Sequence, residues 1–225
     1  YNIAGLKFSK LDQVVKDELD SSAITVYEIT EYTDKDVREM FRRLNSGKPL
    51  NTVQKLTPNM SDEFSNVIFD IISIPFFENR LSAAQLKNSV DLNIALEILM
   101  LCNTNKDNDF ASFTPKAKED FINFYNYKIE QDKIETIKMA INKLDESLEE
   151  DVLIPKTSIS VLCFAAYRIC KDKKSFEKFA LKVSEFLAAY DGNTEYKDKV
   201  LRGTNSVESV RYRLDYWRNI IRELQ

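Results

Sequence analysis

Phe176-Glu177-Lys178-Phe179-Ala180-Leu181-Lys182-Val183-Ser184-Glu185-Phe186-Leu187 is the stretch whose reading decides the fold class. Phe176, Phe179, Ala180, Val183, Phe186 and Leu187 recur three and four residues apart, which lays one apolar stripe along a helix and leaves Lys and Glu opposite. The spacing predicts a helix over Ser175 to Ala189. The same period predicts helices over Ser61 to Ile72, Ser82 to Asn103, Pro115 to Phe124, Glu130 to Leu148, Ser158 to Cys170 and Ser206 to Leu224. Between them stand breakers: Ile74-Pro75, the polar run from Asn103 to Asp109, Ile154-Pro155 and Asp191-Gly192-Asn193. No fixed-period repeat or low-complexity segment interrupts the series, so a helical bundle is expected and not a solenoid.

Composition agrees. In 225 residues there are four glycines and five prolines, and 44% of the chain is hydrophobic, enough for a buried core built from helices. The formal charge is −4 with both signs interspersed, so nucleic-acid contact would need a local basic patch. No apolar run reaches the ~20 residues of a membrane span, and Tyr1 to Lys10 does not resemble a signal peptide, so a cytoplasmic protein without membrane partners is expected. The three cysteines, Cys102, Cys163 and Cys170, sit in apolar helical surroundings and read as buried thiols. The chain has no histidine, which removes histidine-based triads, mixed Cys/His zinc sites and histidine-dependent nuclease centres from its own chemistry. No catalytic residue and no metal ligand is assigned.

The N-terminal quarter differs. Ser22 to Thr30 is rich in β-branched and aromatic residues, with Ile24, Val26 and Glu28 on one side of an alternation, and reads as a strand. A lone strand leaves its backbone groups unpaired, so its partners are expected outside this sequence or in another chain, with the natural domain starting before Tyr1. Thr33 or Asp34 can then cap a helix to about Leu44, carrying Val37, Met40, Phe41 and Leu44 on one face, with Gly47 just beyond.

The most unusual stretch is Glu39-Met40-Phe41-Arg42-Arg43-Leu44-Asn45-Ser46-Gly47-Lys48-Pro49-Leu50-Asn51. It brings two cations, an amide and a glycine together in six residues. Arg43, Asn45, Gly47 and Lys48 could line an anion or nucleotide site, Gly47 letting the backbone come close. They could equally form an ordinary helix ending, where cations favour the carbonyl end and glycine is the usual stop.

Phe41-x-Arg43-Leu44-Asn45-x-Gly47, with the strand type Ile24-Thr25-Val26 before it and Lys48-Pro49-Leu50 after it, resembles the F-x-R-L-N-x-G signature of the DGQQR/ParB-like restriction family, once called domain of unknown function 262. Leu6-Lys7-Phe8-Ser9-x-Leu11 is similar to the link between that family's two motifs, and the match extends over about residues 5 to 57, with Tyr196 to Leu214 also similar. The family includes GmrSD-type modification-dependent restriction endonucleases. The resemblance implies that residues 1–57 are a strand-helix remnant of a ParB/sulfiredoxin-like nucleotide-binding domain and 58–225 a helical domain. It implies a nucleoside triphosphate bound in the intact parent, with Arg43 and Asn45 at phosphates or sugar, and none held by this chain alone. It further implies DNA reached through the parent, together with a nuclease partner or a second copy of the chain. D-G-Q-Q-R and an H-N-H motif are both missing from this sequence, so neither nucleotide hydrolysis nor DNA cleavage is expected of the chain by itself. A helical protein-interaction module without catalysis is the alternative.

Weaker candidates remain. Asp145, Glu146, Glu149, Glu150 and Asp151 form an acidic cluster that reads as a solvated helix end more readily than as a cation site. Arg202, Arg211, Arg213, Arg218 and Arg222, interleaved with Tyr212, Tyr216 and Trp217, could meet nucleic acid, but Val210, Leu214, Trp217 and Ile221 form a core-facing stripe on the same helix. Phe121, Phe124, Tyr125 and Tyr127 read as core and not as a stacking platform.

Overall fold

The computed structural model describes residues 7–23, 30, 33, 51–150 and 152–224. It divides the chain into two compact units, 1–43 and 44–225. The strand expected near Ile24 to Ile29 and the helix expected to end at Leu44 lie outside the described residues. Among the described residues the chain is mainly helical, with twelve α-helices and no strand.

In the first unit a 3-10 turn at Phe8–Lys10 leads into α1, Gln13–Asp20. Apolar spacing does not announce this helix, and only Val15 is buried along it. Gln13 Nε2 donates to Asp17 Oδ1 at 2.7 Å, one turn on. Ser21 and Ser22 donate their hydroxyls to the Glu18 carbonyl at 3.1 and 2.8 Å, closing the helix end.

In the second unit the helices are α2 Thr52–Leu56, α3 Asp62–Ile72, α4 Pro75–Arg80, α5 Ala83–Lys87, α6 Val90–Asn103, α7 Pro115–Tyr125, α8 Gln131–Glu146, α9 Lys156–Lys171, α10 Phe176–Ala189, α11 Thr194–Leu201 and α12 Val207–Glu223. Local chemistry fixes where they begin. Ser61, Thr114, Ser175 and Ser206 each accept a backbone N–H three residues on, and Asn51 with Gln54 and Ser82 with Gln85 form reciprocal capping boxes. Pro75 occupies the first turn of α4, where a missing N–H costs nothing, so Ile74-Pro75 starts a helix instead of ending one. The helix expected over Ser82 to Asn103 is two helices: Ser89, with φ 52° and ψ 43°, turns the chain between α5 and α6.

The core is organised around two helices with no solvent side. In α6 every residue from Ile94 to Asn103 is buried, and in α9 every residue from Ser158 to Tyr167. Such all-round burial marks an interior helix. α9 packs on α6, α8, α10 and α12, while α6 also receives α2, α3, α5 and α7. Rings fill the spaces between layers. Phe64, Phe110, Phe121, Phe124 and Tyr125 form one group, and Phe179, Phe186, Tyr190, Tyr196, Tyr216 and Trp217 another. Phe121 and Tyr125 are therefore core, as expected, whereas Tyr127 is 89% exposed.

The acidic cluster near residue 145 serves α4. Arg80 is buried and reaches across to the end of α8, with Nε donating to Asp145 Oδ1 at 2.6 Å. Its other nitrogens donate to the carbonyls of Asp145, Leu148, Glu149, Glu150 and Val152. One guanidinium thus serves the Asp145 carbonyl in the last turn of α8 and four carbonyls of the stretch that follows it. Asp151 lies outside the described residues.

Among the described residues no helix is long and apolar enough to cross a membrane, and no group of three or more His, Cys, Asp or Glu side chains is placed to hold a metal.

Candidate functional site

Arg43, Asn45, Gly47 and Lys48 lie outside the described residues. In sequence the motif runs on to Asn51, three residues after Lys48. Asn51 takes two structural roles at once. Its Oδ1 accepts from Gln54 N at 2.9 Å to cap α2, and its Nδ2 donates to the Asn88 carbonyl at 2.8 Å. The second contact ties the start of α2 to the α5–α6 turn, where Gln54 Nε2 also meets Ser89 Oγ at 2.9 Å. Ser89 holds a left-handed conformation that ordinarily costs a non-glycine residue about 1–2 kcal/mol, and these contacts stabilise it.

Asn51, Asn88 and Ser89 form one side of a cleft of about 470 Å³ within the second unit. Its floor comes from α6, through Asn93, Ile94 and Glu97, and its far side from Phe113, Lys156, Thr157, Thr204, Asn205 and Arg213. A cleft of this volume is in the range of small-molecule sites.

Two buried charges decide its character. Glu97 interrupts the apolar run Ile94 to Leu101 and is bonded through both oxygens. Its Oε1 accepts from Lys118 Nζ at 2.8 Å and from Asn93 Nδ2 at 2.6 Å, and its Oε2 from Ser160 Oγ at 2.6 Å. Lys118 Nζ donates as well to Asn93 Oδ1 at 2.6 Å, so carboxylate, ammonium, amide and hydroxyl close a network across α6, α7 and α9. A satisfied network of this kind holds the floor in one geometry.

Arg213 is only 2% exposed. Its Nε donates to the Ser209 carbonyl at 3.1 Å, and its two terminal nitrogens donate to the carbonyls of Thr157 and Thr204. The guanidinium has no carboxylate partner among the described residues, in contrast to Arg80 with Asp145. Burial pushes its pKa down from the ordinary arginine value, the direction expected of a desolvated cation. Beside it Tyr196, bonded to Ser158 Oγ at 3.2 Å, is pushed up by burial to about 12.

The arginine-rich last helix therefore divides. Arg213 shares the buried face with Val210, Leu214, Trp217 and Ile221. Arg211 pairs with Asp109, whose carboxyl is held down by the Ala111 N–H first and by Arg211 second. Arg218 and Arg222 border a separate groove of about 280 Å³ with Phe164, Arg168, Asp172 and Lys174. There Arg168 is bonded to Asp172 at 2.9 Å, Arg218 to Asp215 at 3.1 Å, and Lys174 to the Ile221 carbonyl at 2.8 Å, so most of its cations are already engaged.

In the sequence Arg213 is only one of a basic set, and neither Glu97 nor Lys118 stands out as a site residue. A lone carboxylate inside an apolar helix is the signal that could have found Glu97. Comparison of the chain with known protein families, with curated proteins and with solved structures finds no match.

Proposed function

We propose that this chain is a portion of a nucleotide-dependent, restriction-type DNA-defence protein, with a nucleotide-binding or regulatory role and no catalysis of its own. The observation that carries the reading is the run Phe41-x-Arg43-Leu44-Asn45-x-Gly47-Lys48, with its resemblance to the F-x-R-L-N-x-G signature. Arg43 and Lys48 supply cations for phosphate oxygens, Asn45 supplies an amide for phosphate or sugar, and Gly47 admits close backbone approach. Lack of histidine fits a division of labour in which an H-N-H nuclease, if the system uses one, resides elsewhere.

Calorimetric titration of a nucleoside triphosphate into the intact parent and its Arg43→Ala and Asn45→Ala variants, beside a thermal melt of each, tests the reading. Affinity is expected to fall about ten- to a hundredfold in Asn45→Ala, and further in Arg43→Ala, because the lost contacts are worth roughly 1–3 kcal/mol. Unchanged affinity with lowered melting points would make the motif a helix ending and nothing more.

A further inference from the structure

We propose that the cleft bounded by Arg213 and Lys156 is a binding site for a small phosphomonoester, a phosphosugar or nucleoside monophosphate whose phosphate sits at the Arg213 end. The inference is independent of the Arg43 motif and concerns residues of the second unit alone.

Charge balance identifies the ligand class. Three charged side chains line the cleft, namely Glu97, Lys156 and Arg213. Glu97 is ion-paired with Lys118 at 2.8 Å, and three of its roughly four acceptor sites are taken by Lys118, Asn93 and Ser160, so its charge is largely spent inside the protein. Neither Arg213 nor Lys156 forms an ion pair with a carboxylate among the described residues; Glu97 acts on Arg213 without such a pair and is itself bonded to Lys118, so the cleft keeps an excess of positive charge. A buried cation without an ion-paired carboxylate is costly to maintain, and an anionic ligand would supply one.

Donor count places the phosphate. A guanidinium has five N–H groups. Three of them go to the carbonyls of Ser209, Thr157 and Thr204, which also hold the fork rigid, and two remain. Thr157 and Thr204 are the chain neighbours of the cleft-lining Lys156 and Asn205, which puts the backbone of those two residues at the guanidinium end and an ammonium and an amide within reach of an anion there. Two cations and an amide suit a phosphate dianion better than a single-charged carboxylate. At the opposite end the Asn51 and Asn93 side chains are spent on the α2 cap, the Asn88 carbonyl and the Glu97 network. A volume of about 470 Å³ exceeds what inorganic phosphate fills and leaves room for a sugar or nucleoside body.

The test is calorimetric titration of ribose 5-phosphate, adenosine 5′-monophosphate, adenosine and inorganic phosphate into the 225-residue chain, with melting points recorded throughout. Ribose 5-phosphate is expected to bind and adenosine not to bind; whether the monophosphate binds more tightly than the sugar phosphate tells a nucleotide from a phosphosugar. Lys156 is exposed and its side chain makes no hydrogen bond or ion pair among the described residues, so Lys156→Glu is expected to weaken ribose 5-phosphate binding at least about tenfold at an unchanged melting point. Arg213→Lys keeps the charge but loses the fork and is expected to bind less well; because Arg213 also braces three carbonyls, Lys156→Glu is the deciding variant. Arg43→Ala is expected to leave this binding intact, which separates the cleft from the motif. Absence of binding by both phosphorylated probes at millimolar concentration overturns the proposal. So does adenosine binding as tightly as its monophosphate, inorganic phosphate binding as tightly as ribose 5-phosphate, or Lys156→Glu leaving affinity unchanged.

Discussion

Lys118 Nζ stands 2.8 Å from Glu97 Oε1, and the two side chains are 2% and 8% exposed. Each charge is thereby the condition for burying the other, and Asn93 and Ser160 satisfy what the pair leaves over.

Removing one member should be far worse than removing both. Lys118→Met strands the Glu97 carboxylate inside the protein and is expected to lower stability by about 3–5 kcal/mol. The double variant Glu97→Leu with Lys118→Met removes both charges and should recover most of that loss. Urea unfolding of the two single variants and the double variant measures the coupling; additive losses would show that the pair does not act as a unit.

Arg80 gives a second stability test. Arg80→Met deprives Asp145 and a cluster of carbonyls at the end of α8 of their donor, with an expected loss of about 3–5 kcal/mol. Arg80→Lys keeps a charge near Asp145 but cannot reach several acceptors at once, so it should fall between wild type and Arg80→Met in the same urea experiment.

Alkaline pH should unfold the protein through its buried phenols. Burial pushes Tyr125, Tyr167 and Tyr196 up to about 12, against an ordinary value of about 10. Since these folded-state values are raised, their stabilising contribution is complete below the unfolded value near 10 and is lost as pH climbs through 12. Tyrosinate absorbance should therefore show at least these three of the ten tyrosines titrating late in the native protein, with Tyr212 and Tyr216 also pushed up by burial, together with a fall in melting temperature above pH 10. Ten phenols ionising together near the ordinary value while the fold persists would contradict this.

The three thiols should be sluggish nucleophiles. Cys102 and Cys163 are buried and Cys170 is half-buried, and burial pushes all three thiols up from their ordinary value. A disulfide exchange reagent is expected to react slowly with the native protein, at Cys170 first, and rapidly with all three after denaturation. Prompt native-state labelling of Cys102 would be inconsistent with the packing of α6.

Helix positions are legible in the sequence where one face is apolar throughout. Phe179, Val183 and Phe186 on α10 and Val210, Leu214 and Trp217 on α12 are buried as their spacing predicts. The burial of Arg213 has a sequence signal too, because it falls three residues after Val210 and four before Trp217 on the same stripe. The short helices have none. α2 and α4, of five and six residues, are too brief to display a period, and Pro75 signals a start or a stop with equal force. The break at Ser89 is hidden because a left-handed serine has no sequence signature; Asn51 and Gln54, far along the chain, help to hold it. The cleft is illegible for a related reason. Its residues come from α2, α6, α9, α12 and the loops between them, and no pattern in the order of residues announces which loops will meet.

The burial of α6 and α9 on every side also constrains how such a chain can be inherited. A surface helix can be exchanged by recombination, because only one face needs a matching neighbour. α6 needs five neighbours and α9 four, and in each case they come from both earlier and later parts of the chain. A crossover anywhere between residues 90 and 171 would join halves whose interior surfaces never evolved against each other. The second unit must travel as a whole, with tolerated insertions confined to polar connections such as Thr104 to Asp109, where the chain turns back on itself outside the core.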